Sequence, residues 1–202
     1  MEEFFHFFLK AVGQTTIPEW MAIVSALLYV ILAARENPWC WLFGIISSAI
    51  YVWFNFTLRL YIDAGLSLYY CLIGIYGWYY WIRGGNNKKE APVLQAPAKT
   101  ILLSLAVGAA VSVLLGWLSQ EFTDSPVPYS DATLSAFSLV ATWMTARKFL
   151  ENWIFWVLID AGYVWLYVNR SAPMTAMLFL IYVIIAGWAY FKWRKRCRTS
   201  NA

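Results

Sequence analysis

Seven apolar stretches decide what this chain can fold into. They lie at about 18–34, 39–58, 61–82, 100–119, 131–146, 150–168 and 172–192, bounded by charged residues and turn formers and nearly free of charge inside. Crossing a hydrocarbon layer of about 30 Å takes about 20 mostly apolar residues as a helix, and inside lipid a helix satisfies its own backbone. Only 13% of the residues are charged and 19% are aromatic, against roughly 25% charged in an ordinary soluble domain. The chain therefore reads as an all-α integral membrane protein with seven transmembrane helices. Arg35, Glu36, Asn37 and Pro38 break the first two, and polar segments at 83–99 and 121–130 flank the fourth. Most links are too short for anything but antiparallel hairpins.

The start, MEEFFHFFLK, has an acidic rather than a basic n-region and no small-residue cleavage site, so residues 1–17 read as an interfacial segment. His6 is the only histidine, which excludes a histidine metal site or catalytic relay within the membrane. Cys40, Cys71 and Cys197 imply no disulfide framework. No cofactor and no metal are expected. Of the 15 Lys and Arg residues, Lys10, Arg59 and Arg170 fall on one side; the other twelve, including the tail at 194–202, fall on the opposite side. The positive-inside rule then puts the C-terminus in the cytoplasm and the N-terminus outside. The net charge of +4 is explained by this topology and calls for no nucleic acid.

Sliding the chain on itself by 112 residues matches Arg35 with Arg147, Trp41 with Trp153, Phe43 with Phe155, and Tyr51-Val52-Trp53 with Tyr163-Val164-Trp165. A weaker echo pairs Gly77-Trp78 with Gly187-Trp188 at an offset of 110. Segments 18–82 and 131–193 thus read as two copies of a three-helix unit, joined through 83–130, which holds a loop, a linker helix and an outer loop. Four crossings return the chain to the same side, so the copies are parallel, an architecture transporters use with substrate bound between the halves. The linker helix carries Ser104, Gly108, Ser112 and Gly116, a stripe of small residues that admits a close helix neighbour, from this chain or another copy.

The sixth stretch, ENWIFWVLID at 151–160, sets a carboxylate where its surroundings are apolar. At about 100° per residue, Trp153, Trp156, Asp160, Tyr163 and Tyr167 fall within roughly 80° of one helix face. Asp160 is about 15 Å from the helix start, near the bilayer centre, where a lone carboxylate costs at least about 2.5–3.5 kcal/mol. It must face protein or water. No Lys, Arg or His occurs at that depth, which leaves hydroxyls such as Ser47, Ser48 or Ser67, a carboxyl that keeps its proton, or a cation that comes and goes. An aromatic cage with one carboxylate suits a flat cationic ring, held by contacts worth about 0.5–2 kcal/mol each. The alternatives are bland: Trp153 as an interfacial anchor, and Trp156, Tyr163 and Tyr167 as helix packing. Ser48 and Gly44 stand where the second copy has Asp160 and Trp156, so the second half leads binding and the first supplies space and hydroxyls. Helix three adds Ser67 and Tyr70, with Asp63 at its outer end as a cap or mouth residue; helix seven adds Tyr182 and Trp188.

These residues carry a family resemblance. ENWIFWVLID, with Trp153, Trp156 and Asp160, resembles the W-x-x-W-x-x-x-[N or D] motif of the PnuC family of vitamin transporters, and IYGWYYW at 75–81 resembles its second signature. The resemblance covers nearly the whole chain. It implies a three-plus-one-plus-three fold similar to SWEET sugar transporters and a homotrimer in which each protomer has its own path. It also implies uptake of nicotinamide riboside by facilitated diffusion, with trapping by a cytosolic kinase. Relatives take thiamine, riboflavin or deoxynucleosides. The sequence has no GxxxxGK[ST] motif, in agreement with no ATP use by this chain. It departs from the riboside transporters at Asp160, where they have Asn, and at Ser67, where at least one has Gln. An aspartate suits the permanent charge of nicotinamide riboside and suits thiamine equally.

Rival classes fare worse. A retinal photoreceptor needs a lysine in the seventh helix, and 173–191 has none. A membrane enzyme needs clustered titratable groups at one depth, whereas the spans offer essentially Asp160 alone. A non-transporting membrane subunit is left as the plain alternative to transport.

Overall fold

The computed structural model describes residues 17–85, 90–123, 127–170 and 172–200. The interfacial segment expected at the N-terminus, with His6, lies outside the described residues up to position 16. The described residues hold seven helices: α1 Ile17–Ala34, α2 Cys40–Thr57, α3 Tyr61–Arg83, α4 Ala98–Phe122, α5 Pro128–Ala146, α6 Asn152–Asn169 and α7 Pro173–Ser200. Among the described residues there is no strand, only an isolated bridge between Leu94 and Phe149. The helices sit where the apolar stretches predict them, within a few residues except where α7 runs on into the tail.

Three of them are long and apolar enough to cross a membrane by length and hydropathy alone: Cys40–Thr57, Ala98–Phe122 and Pro173–Cys197. Helix α1 is apolar over the shorter stretch Trp20–Ala34. In α3, α5 and α6 the hydropathy is lowered mainly by Tyr, Trp, Ser, Thr and Gly, side chains that bind ligands or admit close neighbours, rather than by charge. Even an 18-residue helix such as α6 is about 27 Å long, close to the hydrocarbon thickness.

The helices pack as a ring. Each of α1, α2 and α3 touches the next, α3 meets α5, and α5, α6 and α7 follow until α7 closes on α1. Helix α4 lies outside, against α5. Its small-residue stripe finds its neighbour in the same chain: a Cβ on Gly108 would stand 2.6 Å from Phe137, and one on Gly116 would run into Tyr129. Ser104, Gly108, Ser112 and Gly116 are all buried there.

Local structure recurs 112 residues apart. Ala34 and Ala146 end α1 and α5, Cys40 and Asn152 open α2 and α6, and Tyr61 and Pro173 open α3 and α7. In the intervening turns Glu36 and Lys148 take the left-handed conformation, at φ 59° and 54°. Their amides make equivalent bonds, Glu36 N to Ala33 O and Lys148 N to Thr145 O, both 2.9 Å. Aromatic packing recurs too. Trp41 meets Trp81 edge-on with centroids 5.6 Å apart, and Trp153 meets Trp193 edge-on at 5.4 Å. Both pairs keep the 112 spacing, so α3 and α7 do not follow the echo at 110, which pairs Trp78 with Trp188.

Candidate functional site

The turn between α5 and α6 prepares the site. Asn152 is wholly buried; its Nδ2 donates to Phe149 O at 2.5 Å and its Oδ1 lies 3.0 Å from Thr145 Oγ1. The same hydroxyl accepts from Trp156 Nε1 at 3.3 Å. A chain of polar contacts thus orients the Trp156 indole, and with it the aromatic face of α6.

That face lines a cavity of about 210 Å³. Trp153, Trp156, Asp160 and Tyr163 form one wall; Ala26, Tyr29, Val30 and Ala33 of α1, Thr145 of α5, and Phe179, Tyr182 and Ala186 of α7 form the rest. Asp160 is 5% exposed, and among the described residues no donor and no cation reaches it. Ser47, one candidate partner, donates instead to Ala22 O at 3.1 Å. The carboxylate therefore faces the cavity unpaired.

A second cavity of about 160 Å³ shares Ala26, Tyr29 and Trp156 with the first. Its other walls are Trp41, Gly44, Ser47, Ser48, Tyr70, Gly74 and Thr142. The two are counterparts at the 112 spacing: Trp41 answers Trp153, Ser48 answers Asp160 and Tyr70 answers Tyr182. They differ in chemistry, one holding a carboxyl group among aromatic rings, the other rich in hydroxyls. Gly44 stands where the second half has Trp156, and even a methyl there would come within 3.0 Å of the Tyr29 ring. Together the lobes reach the lower part of the range for small-molecule sites, about 300–1,000 Å³.

The remaining residues singled out from the sequence are placed elsewhere. Tyr167 lines a separate vestibule of about 600 Å³ with Asp63, Asp131 and Arg170, where Arg170 and Asp131 pair at 2.7 Å. Tyr163 lines both spaces, and the stack of Tyr163 on Phe179 at 4.5 Å and Phe179 on Tyr167 at 5.5 Å stands between them. Ser67 is buried, donates to Asp63 O at 2.8 Å and accepts from Asn55 at 3.4 Å. It shares a face with Gly74 but lies about 10 Å nearer the N-terminal end of α3. Trp188 is 51% exposed with Lys192 Nζ 5.0 Å above its ring. It follows Ala186 by two positions, about 200° around α7, and so looks away from the cavity. Sequence reasoning missed Tyr29, Thr145 and Phe179 because none of the three is charged, and an uncharged side chain in an apolar stretch reads the same whether it faces a cavity or a neighbouring helix.

Residues 16–195 match a family described as nicotinamide mononucleotide transporter. The chain belongs to this family, the PnuC transporters. Its PnuC relatives include the nicotinamide riboside transporter PnuC of Escherichia coli (strain K12), 25% identical over 193 residues, covering 83% of this chain and 81% of the relative. The riboflavin/roseoflavin transporter RibM of Streptomyces davaonensis is 26% identical over 190 residues, covering 90% and 88%. The crystal structure of the vitamin B3 transporter PnuC shares the fold, with a TM-score of 0.68 at 20% identity over 89% of this chain and 81% of that one. As a PnuC-family member the chain is an integral membrane transporter and not an enzyme.

Proposed function

We propose that this chain takes up nicotinamide riboside by facilitated diffusion across the bacterial inner membrane, with trapping by cytosolic phosphorylation. The observation that carries the reading is Asp160, buried, unpaired and facing a cavity walled by Trp153, Trp156, Tyr163 and Tyr182. A carboxylate kept at such a cost without a protein partner calls for a cation from outside. Flat rings around it favour an aromatic one. In this reading the charged ring stacks in the first lobe, and Ser48, Tyr70 and Thr142 in the second meet the hydroxyls of a sugar. The names of relatives support vitamin transport, and they cover more than one vitamin.

Thiamine is the second reading, because its thiazolium offers the same charge and its aminopyrimidine the same flat face. In either case 18–82 and 131–193 act as two parallel three-helix halves around the site, as in SWEET transporters. The seven helices all span, with the N-terminus outside and the C-terminus in the cytoplasm. Three protomers assemble in the lipid, each with its own path.

Tryptophan quenching with nicotinamide riboside and thiamine, run side by side on purified protein, tests the assignment. Saturable quenching by the riboside, stronger than by its uncharged reduced form, is expected; equal response to both forms would remove charge pairing from the mechanism.

A further inference from the structure

We propose that the cytoplasmic exit of the cavity is a gate made of four tryptophans, held shut by two latches: Lys148, which reaches from the α5–α6 turn to Trp81 and the segment that follows α3, and Glu36, which reaches from the α1–α2 turn to the end of α7. The inference rests on the transport reading above, and adds how the site is closed on its inner side.

Trp41 and Trp153 line the two lobes, and their rings pack on Trp81 and Trp193. Trp81 and Trp193 meet at 5.7 Å, so the contact between the halves runs through the middle of the cluster. None of the four is more than 3% exposed. Nothing as wide as an aromatic ring passes while they touch. Yet the indole N–H groups of Trp41, Trp153 and Trp193 are buried without a hydrogen-bond partner among the described residues. Water reaching the cluster on opening would satisfy all three, so closure is not favoured by the tryptophans' own hydrogen bonding and needs to be held.

The holding groups are Lys148 and Glu36, two of the three non-glycine residues that take the left-handed conformation among the described residues. Lys148, 3% exposed, donates from Nζ to Ala91 O at 2.8 Å and lies 4.7 Å from the centre of the Trp81 ring. Ala91 N in turn donates to Trp81 O at 3.0 Å. The segment at 90–97 is strapped to the α5–α6 turn by Leu150 N to Leu94 O at 2.8 Å and Ala96 N to Glu151 Oε2 at 2.7 Å. On the other side Glu36, 8% exposed, accepts from Arg196 Nη1 of α7 at 3.4 Å. Burial pushes the Lys148 ammonium below its usual value, and Glu36 and Glu90 offset only part of this. Non-glycine residues in the left-handed region and desolvated charges store strain, and here both sit on the seam between the halves.

Cys40 is a native reporter, wholly buried beside Trp41. With Cys71→Ser and Cys197→Ser in the background, its rate of labelling by a membrane-impermeant maleimide from the cytoplasmic side measures opening. Lys148→Met is expected to raise that rate about tenfold, and Arg196→Glu, whose side chain is 68% exposed and leaves the core filled, about threefold. Wild-type labelling rates in Arg196→Glu and in a folded Lys148→Met would overturn the latches; should Lys148→Met not fold, Arg196→Glu decides alone. The assay contains no vitamin, so a failure of nicotinamide riboside to bind would sink the substrate assignment and leave the labelling result standing.

Discussion

Trp156 and Gly44 occupy matching places in the two halves, and the difference between them is the indole that divides the cavity. If Trp156 stacks on substrate, Trp156→Ala loses about 1–3 kcal/mol of binding, roughly 5- to 150-fold in dissociation constant. An unchanged constant in calorimetric titration would mean that the ring only packs. Asp160→Asn keeps the shape and removes the charge, so affinity for a cationic vitamin falls more than affinity for a neutral analogue of equal size. Thr145→Val should act at a distance: it leaves the Trp156 N–H and Asn152 Oδ1 without a partner and costs about 1–3 kcal/mol of stability, read as a lower melting temperature. Asp160, Trp153, Trp156 and Tyr163 were legible in the sequence because a carboxylate on an aromatic helix face has no reason to be in lipid. Thr145 and Tyr29 were not, since a threonine or tyrosine in an apolar helix looks the same whether it faces a cavity or a neighbour.

At the level of elements, glycines mark where helices come closest. A Cβ on Gly77 would stand 2.5 Å from the Trp41 ring, which is itself wedged against Trp81, so Gly77→Ala should push α3 from α2. Overpacking of this kind costs about 1–3 kcal/mol, and a melting temperature equal to wild type would show that the ring has room to move. Gly108→Val tests the α4–α5 contact in the same way. Helix positions followed from apolar length, and the α4 stripe from its spacing, but its partner did not, because small residues state how near a neighbour comes and not which helix it is. The facing of Trp188 likewise depended on how α7 is rotated in the ring.

For the whole molecule the expected behaviour is saturable uptake by liposomes holding the purified protein, ending at equal concentrations inside and out and indifferent to proton or sodium gradients. Accumulation above the outside level in the absence of a kinase would contradict facilitated diffusion. The sequence by itself determined a helical membrane protein with an internal recurrence and one misplaced carboxylate, because apolar run length, spacing and the cost of charge in lipid are properties of the chain taken in order. Only the tertiary structure decided that the two lobes share Trp156, that Ser67 and Trp188 stand apart from them, and that four tryptophans close together beneath the site. Those facts depend on the rotation and depth of helices relative to one another, which packing between distant segments sets and no local pattern records.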